Sequence, residues 1–219
     1  MSDMPQQLPR TLWVGVFLMF CLLCVAGLLS MMVVKDDPKH VLPIISQISD
    51  FTLTNQDGQV TTLAALTNHV CVADIIFTRC AGPCPRMTAQ MKTVQDRLAP
   101  DSNVRLVTLT TDPDYDSPEI LKRYGQRVGA DFNRWTFLTG TKESIAGLAA
   151  GSLKLGSTPI APADQKTPVD LFIHTTIFVF VDKHARLRAS FETGGEDVDW
   201  ENNVRPKLLA DIKRLEREP

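Results

Sequence analysis

The strongest constraint on the fold is a buried strand that runs into a turn with two cysteines and then into a helix. Residues 70–77 are mostly Val, Ile, Ala and Phe, which is typical of a strand buried on both faces. The turn that follows contains Cys80 and Cys84, four positions apart, with glycine and proline between them. Over 86–98 the apolar residues recur at intervals of four, three and four, which predicts an amphipathic helix.

The two cysteines are candidates for a reactive or metal-binding site. Pro85 suits the first turn of a helix and disfavours the helical conformation for the residue before it, so we expect Cys84 at the helix N-terminus. Unpaired N–H groups and the helix dipole there favour a thiolate. Cys80 lies one short loop away, and the spacing allows either a disulfide or one shared metal ion. The alternative is a pair of inert structural cysteines, which a position in a turn disfavours.

The N-terminal region contains a long apolar segment. Residues 12–34 are 23 residues without a charge, enough to cross the ~30 Å hydrocarbon core at about 1.5 Å per residue. A cleaved signal peptide would have a shorter apolar region, so we predict a retained transmembrane helix. Cys21 and Cys24 within it are assigned no function. The predicted organisation is a tail over 1–11, an anchor over 12–34, a tether over 35–46 and one domain over 47–219.

The charge distribution bears on partners and location. The formal net charge is −2 and no basic patch stands out, so nucleic acid is not an expected partner. Arg10 before the anchor and mixed charges after it favour an N-terminus inside. Since no Arg- and Ser-rich transit peptide precedes the anchor, we predict a bacterial plasma membrane with the domain on the periplasmic or outer side.

The remaining elements follow in alternation. An Asp-Gly turn between short alternating segments predicts a hairpin over 51–63. Further predicted elements are strands over 104–110 and 135–138, a helix capped by Ser117 that runs to 128, and a helix over 141–150 capped by Thr141.

The last third of the chain begins with an irregular stretch over 151–170, and a loop of this length is usually functional. His174 is expected to open the strand 177–181, which forms a hairpin with 187–191 and precedes a final helix from about 206. Parallel βαβ units followed by an antiparallel hairpin and a helix predict an α/β, thioredoxin-like fold after the transmembrane helix.

Three blocks of the sequence resemble the Sco/SenC family of membrane-anchored copper proteins. They are Phe-Thr-Arg-Cys with Gly-Pro-Cys-Pro over 77–85, Thr-Asp-Pro with Asp-Ser-Pro-Glu over 111–119, and the late His174. The resemblance covers about 47–217 and implies copper ligands at Cys80, Cys84 and His174. Thr111, Thr175 and the pair at 184–185 depart from the family pattern without removing a ligand.

The residues themselves are compatible with such a site. In thioredoxins a proline-threonine pair facing the cysteine turn occupies the place of residues 173–175, so an imidazole there could reach both sulfurs. Two thiolates and one imidazole suit Cu(I), hold Cu(II) with a fourth ligand or water, and also fit zinc. The alternative for His174 is a hydrogen-bonded histidine at a strand end. Asp112 ends the neighbouring strand and could tune the site or merely form a turn with Pro113.

Two functions remain open at this point. The resemblance implies a copper metallochaperone, not an enzyme, that delivers copper to cytochrome c oxidase, at its dinuclear copper centre, or exchanges it with another periplasmic copper chaperone. The alternative is a membrane-anchored thiol–disulfide oxidoreductase in which Cys80 and Cys84 form the redox disulfide and reduce partner cysteines. A peroxidase of the peroxiredoxin type is disfavoured because its Pro- and Thr-containing cysteine setting is not found.

Overall fold

The computed structural model describes residues 13, 15, 17–25, 41–159, 161, 163, 172–195 and 197–219. It contains two compact units, Met1–Val41 and Leu42–Pro219. In the first, the described residues 13, 15 and 17–25 are helical. Most of the predicted anchor over 12–34 lies outside the described residues, and none of the helices that are described is both long enough and apolar enough to span a bilayer.

The second unit is built on a mixed sheet flanked by helices. Its strands are β1 Ser46–Gln47, β2 Thr52–Asn55, β3 Val60–Thr62, β4 Val70–Ile76, β5 Val104–Thr110, β6 Trp135–Thr139, β7 Ser157–Pro159, β8 Phe172–His174, β9 Ile177–Val181 and β10 Arg186–Glu192. Its helices are α1 Cys84–Gln95, α2 Pro118–Arg127, α3 Lys142–Ala146 and α4 Arg205–Arg217, with a 3₁₀ turn at Leu63–Ala65 and π-helical turns at Gly147–Ser152 and Trp200–Val204.

The sheet has eight strands in the order β1-β10-β9-β4-β5-β6-β2-β3. β4, β5 and β6 are parallel to one another, whereas β9 runs antiparallel to β4 and forms a hairpin with β10. This arrangement confirms the predicted parallel βαβ units, the closing hairpin and the thioredoxin-like α/β fold. Because parallel strands end at the same edge, the loops after β4 and β5 lie side by side.

Each face of the sheet carries its own hydrophobic core. Every residue of β4 is buried, and alternate residues serve opposite faces, as expected for a central strand. Val72 and Ile76 face the core that contains residues of α1, α2 and α4. Ala73 and Ile75 face the core formed with α3 and the π-helical turn after it.

The predicted helix caps are confirmed. The side-chain oxygen of Ser117 accepts a hydrogen bond from the Ile120 N–H at 3.4 Å, and that of Thr141 accepts one from the Ser144 N–H at 3.1 Å. The helix after Thr141 differs from the prediction in form, because it continues beyond α3 as a π-helical turn.

The region around His174 also differs from the prediction. The stretch expected to be irregular over 151–170 contains strand β7, while residues 160, 162 and 164–170 within it lie outside the described part. His174 does not open β9. It ends the separate strand β8, which pairs with β7 in register Ser157 to His174, and Thr175 and Thr176 separate it from β9.

Candidate metal and thiol site

The cysteine loop, residues 77–83, connects β4 to α1. The Cys80 N–H donates to the Phe77 carbonyl at 3.2 Å, and the Cys80 sulfur accepts a hydrogen bond from the Gly82 N–H at 3.3 Å. Cys80 is half-buried, while Ala81 and Gly82 beside it are exposed. The loop therefore folds back so that its own backbone holds a sulfur atom near the protein surface.

Cys84 is the first residue of α1 and is only 1% exposed. The expectation that Pro85 keeps Cys84 out of the helical conformation is wrong. Pro83 already has helical angles, φ −74° and ψ −23°, and its carbonyl accepts the Met87 N–H at 3.0 Å. Pro83 and Pro85 are both tolerated at the start of α1, because an N–H group in the first turn of a helix has no partner within the helix.

The two sulfurs belong to one hydrogen-bonded pair. A hydrogen bond with Cys80, reinforced by burial, raises the pKa of the Cys84 thiol well above its ordinary value, and a backbone hydrogen bond from Phe77 opposes the shift only in part. The direction of this pKa shift is opposite to the one expected for a thiol at a helix N-terminus.

A buried carboxylate lies below this pair. Asp74 is fully buried in β4, on the same side of the strand as Val72 and Ile76, and accepts a hydrogen bond from the Thr108 hydroxyl at 2.7 Å. Thr108 in turn accepts from the Trp135 indole N–H at 2.9 Å. The charge of Asp74 adds to the rise in the Cys84 pKa. In the sequence, Asp74 is recognisable as the single carboxylate inside an otherwise apolar strand, but it was not among the predicted site residues.

The start of the cysteine loop is fixed to the end of β5 by Asp116. This carboxylate is completely buried and accepts hydrogen bonds from the Thr78 N–H at 3.1 Å, from the Thr78 hydroxyl, and from the Thr110 hydroxyl at 2.5 Å. Burial raises the pKa of Asp116, and these hydrogen bonds oppose the shift. Sequence reasoning did not assign it a role, although it lies in the second block of the resemblance.

Asp112 forms an ion pair with Arg79, the residue before Cys80. Its carboxylate is 2.5 Å from a guanidinium nitrogen of Arg79, whose charged group also lies 3.9 Å from the centre of the Tyr115 ring. Asp112 itself is 7% exposed, and its N–H donates to the Thr110 hydroxyl at 3.0 Å. The structure therefore joins Asp112 to the site through Arg79.

The backbone places His174 at the same edge of the sheet. β9 is antiparallel to β4 with Ala73 opposite Val179, so the chain just before β9 lies toward the end of β4 from which the cysteine loop departs. The Thr175 N–H donates to the Gly156 carbonyl at 3.0 Å and fixes the exit of β8. The His174 side chain is outside the described part of the structure. Among the side chains that are described, no three of His, Cys, Asp and Glu form a metal-sized cluster.

Cys71 lies apart from the pair, inside β4, and belongs to the core on the opposite face of the sheet from Cys84. It is fully buried in β4, its thiol lies 3.7 Å from the Leu66 carbonyl, and burial raises its pKa to about 12. A thiol in such a setting is inert. The arrangement able to bind a soft metal ion or exchange disulfides is therefore at Cys80 and Cys84.

Comparisons with known proteins give a consistent result. The SCO1/SenC family model matches residues 45–206. A SCO1 protein homolog from Bacillus subtilis (strain 168) is 31% identical over 198 residues, which cover 90% of this chain and 92% of that protein.

Solved structures agree with this match. BsSco, a member of the Sco family of cytochrome c oxidase assembly proteins with an identified disulfide switch, superposes with a TM-score of 0.66 at 27% identity, over 82% of this chain and 100% of that one. Copper-bound ScoI of Bradyrhizobium japonicum superposes with a TM-score of 0.63 at 21% identity, over 78% and 99% of the two chains. Since the family model covers most of the domain and a relative aligns along nearly its whole length, the chain belongs to the SCO1/SenC family.

Proposed function

We propose that this chain is a copper metallochaperone in which Cys80, Cys84 and His174 bind one copper ion and pass it to the dinuclear copper centre of cytochrome c oxidase. The observation that carries the proposal is the contact between the two sulfurs at the mouth of the cysteine loop. The backbone position of His174 at the same sheet edge supports it. The proposal is also supported by the copper bound in ScoI of Bradyrhizobium japonicum and by the membership of BsSco in a family of cytochrome c oxidase assembly proteins.

The donor set accounts for the chemistry of this cargo. Two thiolates and an imidazole form a soft ligand set that suits Cu(I), and a fourth ligand or water would complete a Cu(II) site. Because the metal is bound by thiolates and not by thiols, copper binding would release thiol protons to the solvent. Transfer then proceeds by ligand exchange, in which partner thiols replace first the more exposed Cys80 and then Cys84.

The same proposal includes a location. Residues 12–34 would anchor the chain in a bacterial plasma membrane as a single span, and the tether that follows them would hold the domain on the periplasmic side. A tethered chaperone meets a membrane-bound oxidase at a high effective concentration, which favours exchange of a tightly held ion.

Copper titration of the reduced full-length chain in detergent tests the ligand set. Sulfur-to-copper charge-transfer absorption should appear at one equivalent of Cu(II) and be lost in Cys80→Ser and Cys84→Ser. In His174→Ala we expect the affinity to fall by more than about 100-fold, since ligand loss should cost at least as much as loss of an outer-shell partner. His184→Ala is the matched control, because that histidine lies in the β9–β10 turn near Pro219. Unchanged copper affinity in His174→Ala would remove the proposal.

One observation favours a second function, that of a membrane-anchored thiol–disulfide oxidoreductase. The half-buried Cys80 can attack a partner disulfide, and the buried Cys84 in contact with it can resolve the mixed disulfide. The partner is reduced to two thiols as Cys80 and Cys84 become a disulfide. This reaction does not require His174. If His174→Ala binds copper normally and still reduces a partner disulfide, the oxidoreductase is the better description.

A further inference from the structure

The segment that follows β10 lies against the chain that leads from His174 into β9. Thr193 is 1% exposed, and its N–H donates to the Thr176 carbonyl at 2.7 Å. This bond extends the β9–β10 ladder by one pair beyond Ile177 and Glu192. Because Thr176 is only two residues after His174, the segment contacts the chain close to the proposed copper ligand.

Two further contacts hold Thr176 more firmly than a strand ladder requires. The Thr193 hydroxyl donates a second hydrogen bond to the same Thr176 carbonyl, also at 2.7 Å. The Thr176 hydroxyl donates to the Glu192 carboxylate, which also accepts a hydrogen bond from the Gly194 N–H at 3.2 Å. Thr176 is therefore held through both its backbone carbonyl and its side chain.

Gly194 allows the segment to lie this close to Thr176. A Cβ atom on Gly194 would be 2.7 Å from both Cβ and Oγ1 of Thr176 and 2.8 Å from the Arg86 guanidinium. The end of a long arginine side chain can move aside, whereas the branched Cβ of threonine is bonded directly to the backbone and has few rotamers. A side chain at position 194 should therefore displace the chain at Thr176.

The same segment is also bound to α1, the helix that begins at Cys84. The Gln90 side-chain amide donates to the Thr193 carbonyl at 3.0 Å, and Gln90 is 7% exposed. Gln90 lies six residues after Cys84, which is about 9 Å along the helix at about 1.5 Å per residue. One regular element therefore joins Cys84 to the amide that holds Thr193.

A buried amide at this place is not explained by stability alone. The Oε1 atom of Gln90 is shielded from solvent and has no hydrogen-bond partner among the described residues. An unpaired buried carbonyl is costly, and an apolar side chain would avoid that cost. The bond that the amide does make joins α1 to Thr193, and through Thr193 to Thr176.

The chain after His174 is thus fixed at two successive residues. The Thr175 N–H donates to the Gly156 carbonyl at 3.0 Å, which attaches the chain to the residue before β7. Thr176 is attached to α1 by the path through Thr193 and Gln90. This path connects the backbone next to His174 with the helix that carries Cys84.

We propose that Thr193 and Gln90 are positioning residues that fix the backbone of His174 relative to Cys84, so that both can bind the same copper ion. The inference rests on the proposed function, in which His174 and Cys84 are ligands. Replacement of residues that orient metal ligands typically changes metal affinity by about 10–100-fold. Loosening of this path should therefore weaken copper binding through His174 while both cysteines remain available.

Copper titration of the reduced full-length chain in detergent tests the path with matched substitutions. Thr193→Val removes the hydroxyl but keeps the shape and the N–H, Gln90→Met removes the amide, and Gly194→Ala places a methyl group against Thr176. We expect Cu(II) affinity to fall about 3-fold or more in the first two variants and about 10-fold or more in Gly194→Ala. Thr193→Ser keeps the hydroxyl, and Gly147→Ala adds a methyl group in open space, so both should retain wild-type affinity.

A double-mutant cycle distinguishes positioning from a general loss of structure. In a chain that already carries His174→Ala, Thr193→Val and Gln90→Met should have no further effect on Cu(II) affinity, because they act through that histidine. An equal loss in both backgrounds would overturn the inference, since the path would then act on the fold or on the cysteines.

The outcomes also separate this inference from the proposed function. Wild-type affinity in Thr193→Val, Gln90→Met and Gly194→Ala, with His174→Ala weakened, would overturn the positioning role and leave the copper function standing. If His174→Ala itself binds copper normally, the copper function falls and the positioning role falls with it.

Discussion

Two carboxylates at the end of β5 hold the cysteine loop by different means. Asp116 is completely buried and accepts hydrogen bonds from Thr78 and Thr110, so its oxygens replace water for several buried donors. Asp112 instead forms an ion pair with Arg79, whose side chain is 36% exposed. An ion pair in contact with solvent contributes little to stability, whereas loss of an acceptor from a buried network leaves donors unsatisfied.

Asp116→Ala should therefore be far more damaging than Asp112→Ala. We expect a loss of about 2–3 kcal/mol in the free energy of unfolding for Asp116→Ala, because the buried Thr110 hydroxyl and the half-buried Thr78 N–H both lose their acceptor. For Asp112→Ala the expected loss is under about 1 kcal/mol. Urea unfolding at pH 7 measures both, with Asp101→Ala at an exposed turn position as control. Equal losses at the two sites would contradict the different roles assigned to them.

The elements that sequence reasoning predicted are those with a local signal. β4 is apolar except for Asp74, and β5 is rich in Val and Leu. The buried residues Met87, Met91 and Val94 of α1 follow helical spacing, and Gly58 in the Asp-Gly turn has φ +75°. Each of these signals lies within the segment that forms the element. For this reason their positions were predicted to within a few residues.

The features that the sequence did not predict depend on contacts between distant segments. Strands β7 and β8 have three residues each and are stabilised by pairing across a long connection, which leaves no periodic pattern in the sequence. A π-helical turn has no residue signature that separates it from an α-helix. The pKa of Cys84 is raised by the hydrogen bond with Cys80 and by burial, and the charge of Asp74 adds to the rise, whereas the position at a helix N-terminus alone predicts a shift in the opposite direction.

Helix α2 provides a prediction at the scale of an element. Gly125 lies against Phe132 and Phe137, and a Cβ atom there would come within 2.6 Å of the Phe132 ring. We expect Gly125→Ala to lower the free energy of unfolding by about 1–3 kcal/mol, because the overpacking outweighs the gain in helix propensity.

The same substitution at Gly147 is its matched control. This glycine has helical angles, φ −59° and ψ −45°, and an added Cβ would meet nothing within 4 Å. Gly147→Ala should leave the free energy of unfolding unchanged or raise it by up to about 1 kcal/mol. Thermal and urea unfolding measure the stability of the two variants. A Gly125→Ala variant more stable than Gly147→Ala would contradict the packing described for α2.

At the scale of the whole domain, Arg188 joins segments that are far apart in the sequence. Its side chain is 2% exposed and binds the Leu42 carbonyl at 2.6 Å, the Asp182 carboxylate at 2.7 Å and the Glu218 carboxylate at 2.6 Å. The start of the domain, the β9–β10 turn and the end of the C-terminal helix thus meet at one guanidinium. Removal of one partner of a buried charge network leaves the others uncompensated.

This network makes stability depend on pH in a defined direction. Burial opposes ionisation of Asp182, but hydrogen bonds from Arg186 and Arg188 outweigh it and hold the pKa of Asp182 below its ordinary value. A carboxyl whose pKa is lower in the folded than in the unfolded chain stabilises the fold above its unfolded pKa of about 3.9, and this contribution is lost as the pH falls through the folded value.

Arg188→Ala should therefore cost about 3 kcal/mol at pH 7, because Asp182 stays buried with only Arg186 as its cationic partner. Below about pH 4 the difference from wild type should shrink, since the wild-type chain loses the Asp182 contribution there. Arg186→Ala, whose side chain is 30% exposed, should cost under about 1 kcal/mol at pH 7. Urea unfolding at pH 7, 5 and 3 measures these differences. A gap between wild type and Arg188→Ala that stays constant down to pH 3 would show that Asp182 is not the group through which Arg188 stabilises the domain.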